Sequence, residues 1–341
     1  MRVSLGPSEV GKLLNGVVTV CKQRDVSVSS LRSALIAKIC EEGNSLGDLF
    51  VPTVEIPVVE PHTKSQALVV VGMKKQLDYS LHPLVSGFPF REEDIRFEEM
   101  HYQDPMTSGL CVIGVNDGCD DLPELRKKNW INCFDIDAQL GRQTLNNDIR
   151  GKVVATQPYE HVTRYRLEKV FTRLKSQFKR ASFELMHCDL QSEEAFEAAR
   201  KGAVRPSVQD APIVYDIAIK YFKPPHIGLQ IQCTGVNVKF LTSFVQELGF
   251  MVDSTASVRR LHCSRVGPFL AENAIVPRDI SLSSIIKNVV NNRRIIAGYK
   301  TGPSLSSAEY TPSEEEHTEE EESVKDVDCV KMSWARGYTS V

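Results

Sequence analysis

The chain has 341 residues, of which 42% are hydrophobic and 25% charged, the composition of an ordinary globular protein. Its formal net charge of −3 argues at first against nucleic-acid binding, because phosphate contacts require Lys and Arg. The charge is unevenly distributed, however. Residues 301–341 hold ten acidic and three basic residues, which leaves residues 1–300 with a net charge of +4.

Cysteine usage and hydropathy exclude several classes of protein. Nine cysteines are scattered without a C-x-x-C pair, which fits neither a disulfide framework nor a common zinc site, so free thiols in a reducing compartment are the simplest interpretation. No apolar run approaches the roughly 20 residues of a membrane span, and no secretory signal pattern is present. Arg2, Lys12 and a single acidic residue in the first fifteen positions give only a weak mitochondrial presequence signal.

Short β-branched runs alternate with stretches of helical apolar spacing along the chain, a pattern that predicts strands interleaved with helices. In chain order, the predicted elements are a strand at 16–21, a helix at 29–42, an extended segment at 52–61, strands at 67–72, 109–115 and 132–140, helices at 162–178 and 192–201, strands at 213–221 and 227–233, a helix at 239–248 and a short strand at 258–261. The runs 67–72 and 109–115 are compact and apolar, which favours buried strands. Together these elements predict an α+β fold, a mixed sheet with helices packed on it.

The charge distribution suggests three parts. Residues 1–14 are a short N-terminal extension, residues 15–300 a folded domain and residues 301–341 an acidic tail. The tail is rich in Ser, Glu and Thr and has few large apolar residues, so it is predicted to be disordered because it cannot bury enough surface to offset its ordering entropy.

A carboxylate beside a buried strand is the strongest candidate for chemistry. Asp104 is followed by Pro105, small residues and Gly109, directly before the apolar run 111–115. This pattern is typical of a tight loop, and a carboxylate held at the entry to a strand can act as a nucleophile or a base. A structural alternative stays open, because Asp commonly caps a turn of this composition.

This stretch resembles a motif of the TruB-type pseudouridine synthases, Leu-Asp-Pro-x-Ala-Thr-Gly, which reads Gln-Asp-Pro-Met-Thr-Ser-Gly here. Four further stretches match the family in order, at 16–30, 139–153, 195–206 and 233–261. The resemblance covers about residues 15–275, and five ordered matches are much more specific than one. The Pro-rich stretch, the spacing around His82 and the position of His101 look most like the mitochondrial messenger-RNA branch of the family.

The resemblance implies the pseudouridine synthase fold, a mixed and mostly antiparallel sheet with flanking helices around a central catalytic cleft. It also implies an isomerase that converts a flipped-out uridine in RNA to pseudouridine, breaking the C1′–N1 bond and rejoining the base through C5, without metal or cofactor. The expected substrate is mitochondrial messenger or transfer RNA, and the expected location is the mitochondrial matrix. We expect a monomer without a membrane span, with RNA-maturation proteins as partners.

Three positions of the chain match the family's catalytic residues. Asp104 matches the nucleophile or base, Phe134 replaces the Tyr that packs on the flipped base, and Lys239 replaces the Arg that pairs with the Asp. A Phe ring can stack on a base but cannot accept a proton, and Lys keeps the charge of Arg without its bidentate geometry. The structural alternatives are a core aromatic for Phe134 and a solvated helix residue for Lys239.

Four further residues, His101, Lys22, Arg259 and Arg260, are expected to bind RNA. His101 has the alternative of an ordinary loop histidine. Because side chains alternate along a strand, we expect one of the two arginines to point inward and the other outward, so that one contacts RNA.

Two other functions remain open from the sequence. The first is an RNA-binding protein on the same fold with little or no isomerase activity, acting in mitochondrial RNA or ribosome maturation, which Phe134 and Lys239 would favour. The second is a protein scaffold that does not bind RNA, which requires the basic charge of residues 1–300 to be incidental.

Overall fold

The computed structural model describes residues 7–45, 51, 53–61, 67–80, 82, 85, 87–202, 204 and 211–299. The predicted acidic tail at 301–341 therefore lies outside the described residues. Within the described part of the chain, no helix is long and apolar enough to cross a membrane.

The chain folds into helices and strands in the following order: α1 (Pro7–Leu13), β1 (Gly16–Lys22), α2 (Val28–Ser45), β2 (Thr53–Pro61), β3 (Leu68–Leu77), β4 (Phe97–Glu99), β5 (Thr107–Val115), α3 (Gly118–Lys127), β6 (Asn132–Leu140), β7 (Arg142–Thr144), β8 (Val153–Thr156), α4 (Arg164–Glu184), α5 (Glu193–Lys201), β9 (Ile213–Lys223), β10 (His226–Thr234), α6 (Val238–Met251), β11 (Ala256–Val266), β12 (Phe269–Leu270) and α7 (Leu282–Gly298). Each predicted strand and helix is present, with bounds shifted by a few residues. The last predicted strand is longer than expected and runs through the whole of β11.

One eight-stranded sheet organises the molecule. Its strand order is β1-β5-β11-β6-β10-β9, with β4 paired to β5 and β12 to β11. The pair β5–β11 is parallel, and the other pairs of this sheet are antiparallel. The prediction of a mixed, mostly antiparallel sheet with flanking helices is therefore confirmed.

The two faces of the sheet differ over β6, β9, β10 and β11. One face carries alternating apolar residues such as Ile136, Leu229 and Leu261, which pack against α4 and α6 through Phe171 and Val245. In the central parts of these strands the intervening residues include Asp135, Asp137 and Gln230, which are polar and point to the other face. Alternation in a half-buried strand thus separates a covered apolar face from an open polar face.

Strand β5 is buried on both faces. Cys111 and Ile113 belong to a cluster formed with α2 and α7, whereas Leu110 and Val112 belong to a cluster formed with α3 and Trp130. This burial explains why the run 109–115 is apolar without alternation. Here the predicted buried strand is confirmed.

The prediction that the second strand, at 67–72, is buried is wrong. This run lies within β3, every residue of which is exposed, with Leu68 at 76% and Val71 at 63%. The strand pairs with β2 alone, and no element of the described structure covers either face of this hairpin. An apolar run favours a strand, but whether another element covers that strand depends on the tertiary structure.

Helix α7 was not predicted, because its buried face contains polar residues. Asn288 and Asn292 are both buried at helical spacing with Val289. Their side chains satisfy the free edge of β1: Thr19 N–H donates to Asn288 Oδ1 at 2.8 Å, and Asn292 Nδ2 donates to the Val17 carbonyl at 3.0 Å. The helix thereby pairs two backbone groups of an edge strand, Thr19 N–H and the Val17 carbonyl, while Ile275 pairs with the Thr19 carbonyl and Cys21 N–H on the same edge.

We expect Asn292→Ala to lower the free energy of unfolding by about 1–3 kcal/mol, because the Val17 carbonyl and Asn288 Oδ1 lose a buried donor. Urea denaturation with an unchanged m-value measures this loss. Asn291→Ala is the matched control, since Asn291 is the exposed neighbour in the same helix. Equal destabilisation by both variants would contradict this account of α7.

Candidate active site

Asp104 lies at the turn that leads into β5. Its side chain is partly exposed, and its Oδ1 accepts a hydrogen bond from Met106 N–H at 3.0 Å. Its carbonyl accepts from Thr107 N–H at 3.0 Å and from Thr107 Oγ1 at 2.7 Å. The carboxylate therefore caps the turn through one oxygen and is fixed at the entry to the strand. Turn capping and chemistry do not exclude each other at this position.

The strand after this turn approaches its neighbour so closely that only glycine fits. Gly109 pairs with Cys263 of β11 and has a φ of +104°. A Cβ atom there would lie 2.1 Å from the Cys263 carbonyl oxygen. The glycine of the motif is thus required by backbone conformation and by the parallel contact between β5 and β11.

Lys22 lies beneath the turn and is 1% exposed. Its Nζ donates to the carbonyls of Thr107 at 2.6 Å and Val26 at 2.9 Å, and approaches those of Pro105 and Gln23 at 3.2 and 3.3 Å. The structure therefore contradicts the prediction that Lys22 contacts RNA, because its donors are directed at backbone carbonyls in the interior. Burial lowers the pKa of Lys22, against the effects of Cys111, Asp104 and Asp25.

A cluster of charged residues missed by the sequence analysis joins the Asp104 turn to the loop after β7. Asp25 N–H donates to the Pro105 carbonyl at 2.8 Å, and Asp25 forms an ion pair with Arg150 at 2.9 Å. Arg150 also lies 3.5 Å from Asp148, whose side chain is buried, and Arg24 lies 3.8 Å from the same carboxylate. Asp148 and Arg150 belong to the stretch 139–153 that resembles the family. This resemblance was the sequence signal that could have identified the cluster.

The other two predicted catalytic residues occupy separate elements. Phe134 is partly buried in β6, pairs with Cys263 and Ile231, and packs against two hydrophobic clusters. Lys239 is exposed in the first turn of α6, which Asn237 caps through its side chain. Within the described residues, no ion pair joins Lys239 to Asp104. The structure thus leaves the Phe134 ring accessible in part and the Lys239 ammonium in solvent.

The three remaining predicted RNA-binding residues are exposed. His101 lies three residues before Asp104 in the loop between β4 and β5. Arg259 and Arg260 are both exposed, so the prediction that one of them points inward is wrong. Val258 pairs with Ala138 and Arg260 with Asp137, which makes Arg259 an extra residue in β11. This β-bulge interrupts the alternation and turns both arginines outward.

A row of polar side chains crosses the open face of the sheet beside the Asp104 turn. Ser108 Oγ lies 3.1 Å from His262 Nδ1, and His262 lies directly opposite Asp135 in the strand register. Asp135 forms an ion pair with Lys220 at 2.7 Å. Burial, and then the charge of Arg260, lower the pKa of His262, while Asp135 acts in the opposite direction. The row extends the candidate site across several strands.

Comparison with known proteins shows similarity to one family. Residues 100–236 match the N-terminal domain of the TruB family pseudouridylate synthases. The "Pseudouridylate synthase TRUB2, mitochondrial" of Xenopus tropicalis is 28% identical over 88% of this chain and 92% of that protein. The protein of the same name from Homo sapiens is 28% identical over 60% of this chain and 61% of that protein. The "Pseudouridylate synthase TRUB1" of Homo sapiens is 23% identical over 52% of this chain and 50% of that protein. The predicted resemblance to the TruB family is confirmed.

We expect Lys22→Met to destabilise the protein and to loosen the Asp104 turn, because the substitution keeps the buried chain length but removes the donors to the Thr107 and Val26 carbonyls. Each buried acceptor left unpaired costs about 1–3 kcal/mol. Urea denaturation measures the stability, and amide hydrogen exchange at Met106 and Thr107 measures the turn. The control is Lys12→Met at an exposed position. Unchanged exchange at the turn would contradict the role assigned to Lys22.

Proposed function

We propose that this protein is an RNA pseudouridine synthase in which Asp104 is the catalytic carboxylate. The position of Asp104 is the main support: a partly exposed carboxylate is fixed on a turn that backbone and side-chain hydrogen bonds hold at the entry to a buried strand. The names of the relatives support the reaction class. In this reaction, Asp104 acts as a nucleophile or a base toward the ribose or the uracil, the C1′–N1 bond breaks and the C5–C1′ bond forms. C5 loses its proton, N1 gains one, and a bond formed to Asp104 breaks again before the product leaves.

The substrate uridine must leave its stack to reach a carboxylate on the protein. We assign Phe134 as the aromatic residue against which the flipped base packs, since part of its ring stays accessible. A Phe ring supplies stacking only, so removal of the C5 proton falls to another group or to water. The arrangement therefore supports base binding by Phe134 and chemistry by Asp104.

Lys239 is proposed to place a positive charge near Asp104 when RNA is bound. Its ammonium forms no ion pair with an acidic side chain in the described part of the chain, and its flexible stem gives it reach from the first turn of α6. In this assignment, Lys239 acts during the chemical step, where charge develops, more than during binding.

The RNA substrate is proposed to be mitochondrial messenger or transfer RNA, because the relatives with the longest matches carry mitochondrial names. The proposed location is accordingly the mitochondrial matrix. Exposed His101, Arg259 and Arg260 are assigned to contacts with the RNA backbone. No metal or cofactor takes part in the proposed reaction.

Asp104→Asn should abolish pseudouridine formation, by about 10³-fold or more, because the amide cannot act as a nucleophile or a base. The assay incubates the full chain with transcribed mitochondrial messenger and transfer RNAs containing labelled uridine and measures labelled pseudouridine. Asp121→Asn, an exposed carboxylate on α3, is the matched control and should keep full activity. An active Asp104→Asn variant would exclude Asp104 as the catalytic residue.

The same assay distinguishes the second candidate function. Phe134 lacks the hydroxyl of the family's Tyr, and this observation favours an RNA-binding protein without isomerase activity. If the unsubstituted protein binds these RNAs with salt-dependent affinity but makes no pseudouridine on any of them, the second function replaces the first.

Lys239→Ala should reduce the rate of pseudouridine formation by about 10²-fold, because preorganised charge matters most in the transition state. RNA affinity should change by only a few-fold, since one exposed cation contributes little to a multi-phosphate contact. Single-turnover rates and equilibrium binding separate the two effects, and Lys239→Arg should retain the rate. Equal losses of rate and affinity would contradict the proposed role.

A further inference from the structure

The open face of the sheet carries polar side chains in two neighbouring rows. The first row follows the strand register across Tyr221, Gly228, Asp137 and Arg260. The second row continues beside it through Gln230, Asp135, His262 and Ser108. Helices α4 and α6 pack on the opposite, apolar face. These rows therefore form an open floor that ends at Ser108, four residues after Asp104.

Two β-bulges concentrate side chains on this floor. In β9, Ile219 pairs with Leu229 and Tyr221 with Gly228, so Lys220 is an extra residue. In β11, Arg259 is the extra residue. A bulge places two consecutive side chains on one side of a strand, which a regular strand does not do. The floor consequently gains Lys220 together with Tyr221 at one end, and Arg259 together with Arg260 at the other.

The ring of Tyr221 lies across Gly228. An added Cβ atom at Gly228 would be 2.2 Å from Tyr221 Cε1 and 2.3 Å from Cδ1, so the ring occupies the space of the missing side chain. The phenolic oxygen donates to Asp137 Oδ1 at 3.0 Å on the strand beyond. Burial, and then this hydrogen bond, raise the pKa of Tyr221, so the hydroxyl stays protonated.

The outer part of this ring is accessible. Tyr221 is only partly buried, and within the described residues no second aromatic ring or cation stacks on it. The ring is held at both ends, by Gly228 beneath it and by Asp137 at its hydroxyl. A fixed aromatic ring with an open surface loses little entropy when a planar group stacks on it.

We propose that Tyr221 is a stacking platform for a nucleobase of the RNA substrate outside the flipped uridine, with Lys220, Arg259 and Arg260 contacting its phosphates. The inference rests on the proposed function and adds a binding subsite to it. An aromatic ring flanked by cations on an open surface is the combination that binds single-stranded nucleic acid. The row from Lys220 through Asp135 and His262 to Ser108 connects this platform to the Asp104 turn.

The test measures binding of the full chain to a fluorescent single-stranded oligouridylate of about 12 nucleotides over a series of salt concentrations. Tyr221→Ala should weaken binding about tenfold at every salt concentration, because stacking is not ionic, and should leave the salt dependence unchanged. Lys220→Ala and Arg260→Ala should each reduce the slope of log affinity against log salt by about one.

Conservative variants separate stacking from structure. Tyr221→Phe and Tyr221→Trp keep a ring and should bind within about twofold of the unsubstituted protein, whereas Tyr221→Leu, which still covers Gly228, should lose as much affinity as Tyr221→Ala. Tyr165→Ala is the matched control, since Tyr165 is 76% exposed on α4, on the other side of the sheet. Thermal unfolding of each variant checks that the fold is retained.

The outcomes distinguish this inference from the proposed function. Ring-dependent binding without pseudouridine formation would support the platform and overturn the isomerase. Pseudouridine formation together with unaltered affinity in Tyr221→Ala and Tyr221→Leu would overturn the platform and leave the isomerase. Equal losses in Tyr221→Phe and Tyr221→Ala would also overturn it, because the hydroxyl bond to Asp137 would then be the relevant interaction.

Discussion

The candidate site depends on the hydrogen bonds that the buried ammonium of Lys22 donates to backbone carbonyls. Lys22 lies at the end of β1 and donates to carbonyls of the loop after β1 and of the segment from the Asp104 turn to the start of β5, so these segments share one interior donor. A lysine is rarely buried unless its charge is hydrogen-bonded. At this position the carbonyls perform that function, and the ion pairs of Asp25, Asp148 and Arg150 extend the constraint to a third loop.

The strand pairing around this turn determines what surrounds Asp104. Parallel contact between β5 and β11 requires Gly109 and brings Ser108 next to His262. From there the open polar face of the sheet continues through β6 and β10 to β9, while the apolar face is closed by α4 and α6. Over β6, β9, β10 and β11, one face of the sheet is therefore committed to the core and the other to solvent.

Local patterns were sufficient where the chemistry is local. The sequence pattern predicted the strand at 132–140, and the sequence from Asp104 to Gly109 predicted a tight turn before a buried strand. Local patterns failed where a neighbouring element determines burial or side-chain orientation. The apolar run in β3 has no covering layer, the asparagines of α7 pair with the edge of β1, and a bulge turns both Arg259 and Arg260 outward.

By itself, the sequence carried the resemblance to the TruB family, the order of most strands and helices, and Asp104 as the candidate carboxylate, because motifs and periodicities are written in consecutive residues. Only the tertiary structure decided that Lys22 is an interior donor, and that Tyr221, Asp137 and the outward arginines share one floor. These residues lie on different strands, and strand register and bulges, which the sequence does not encode locally, bring them together. The net charge of +4 on residues 1–300 thus permits RNA binding. The open face of the sheet determines where Lys220, Arg259 and Arg260 are exposed.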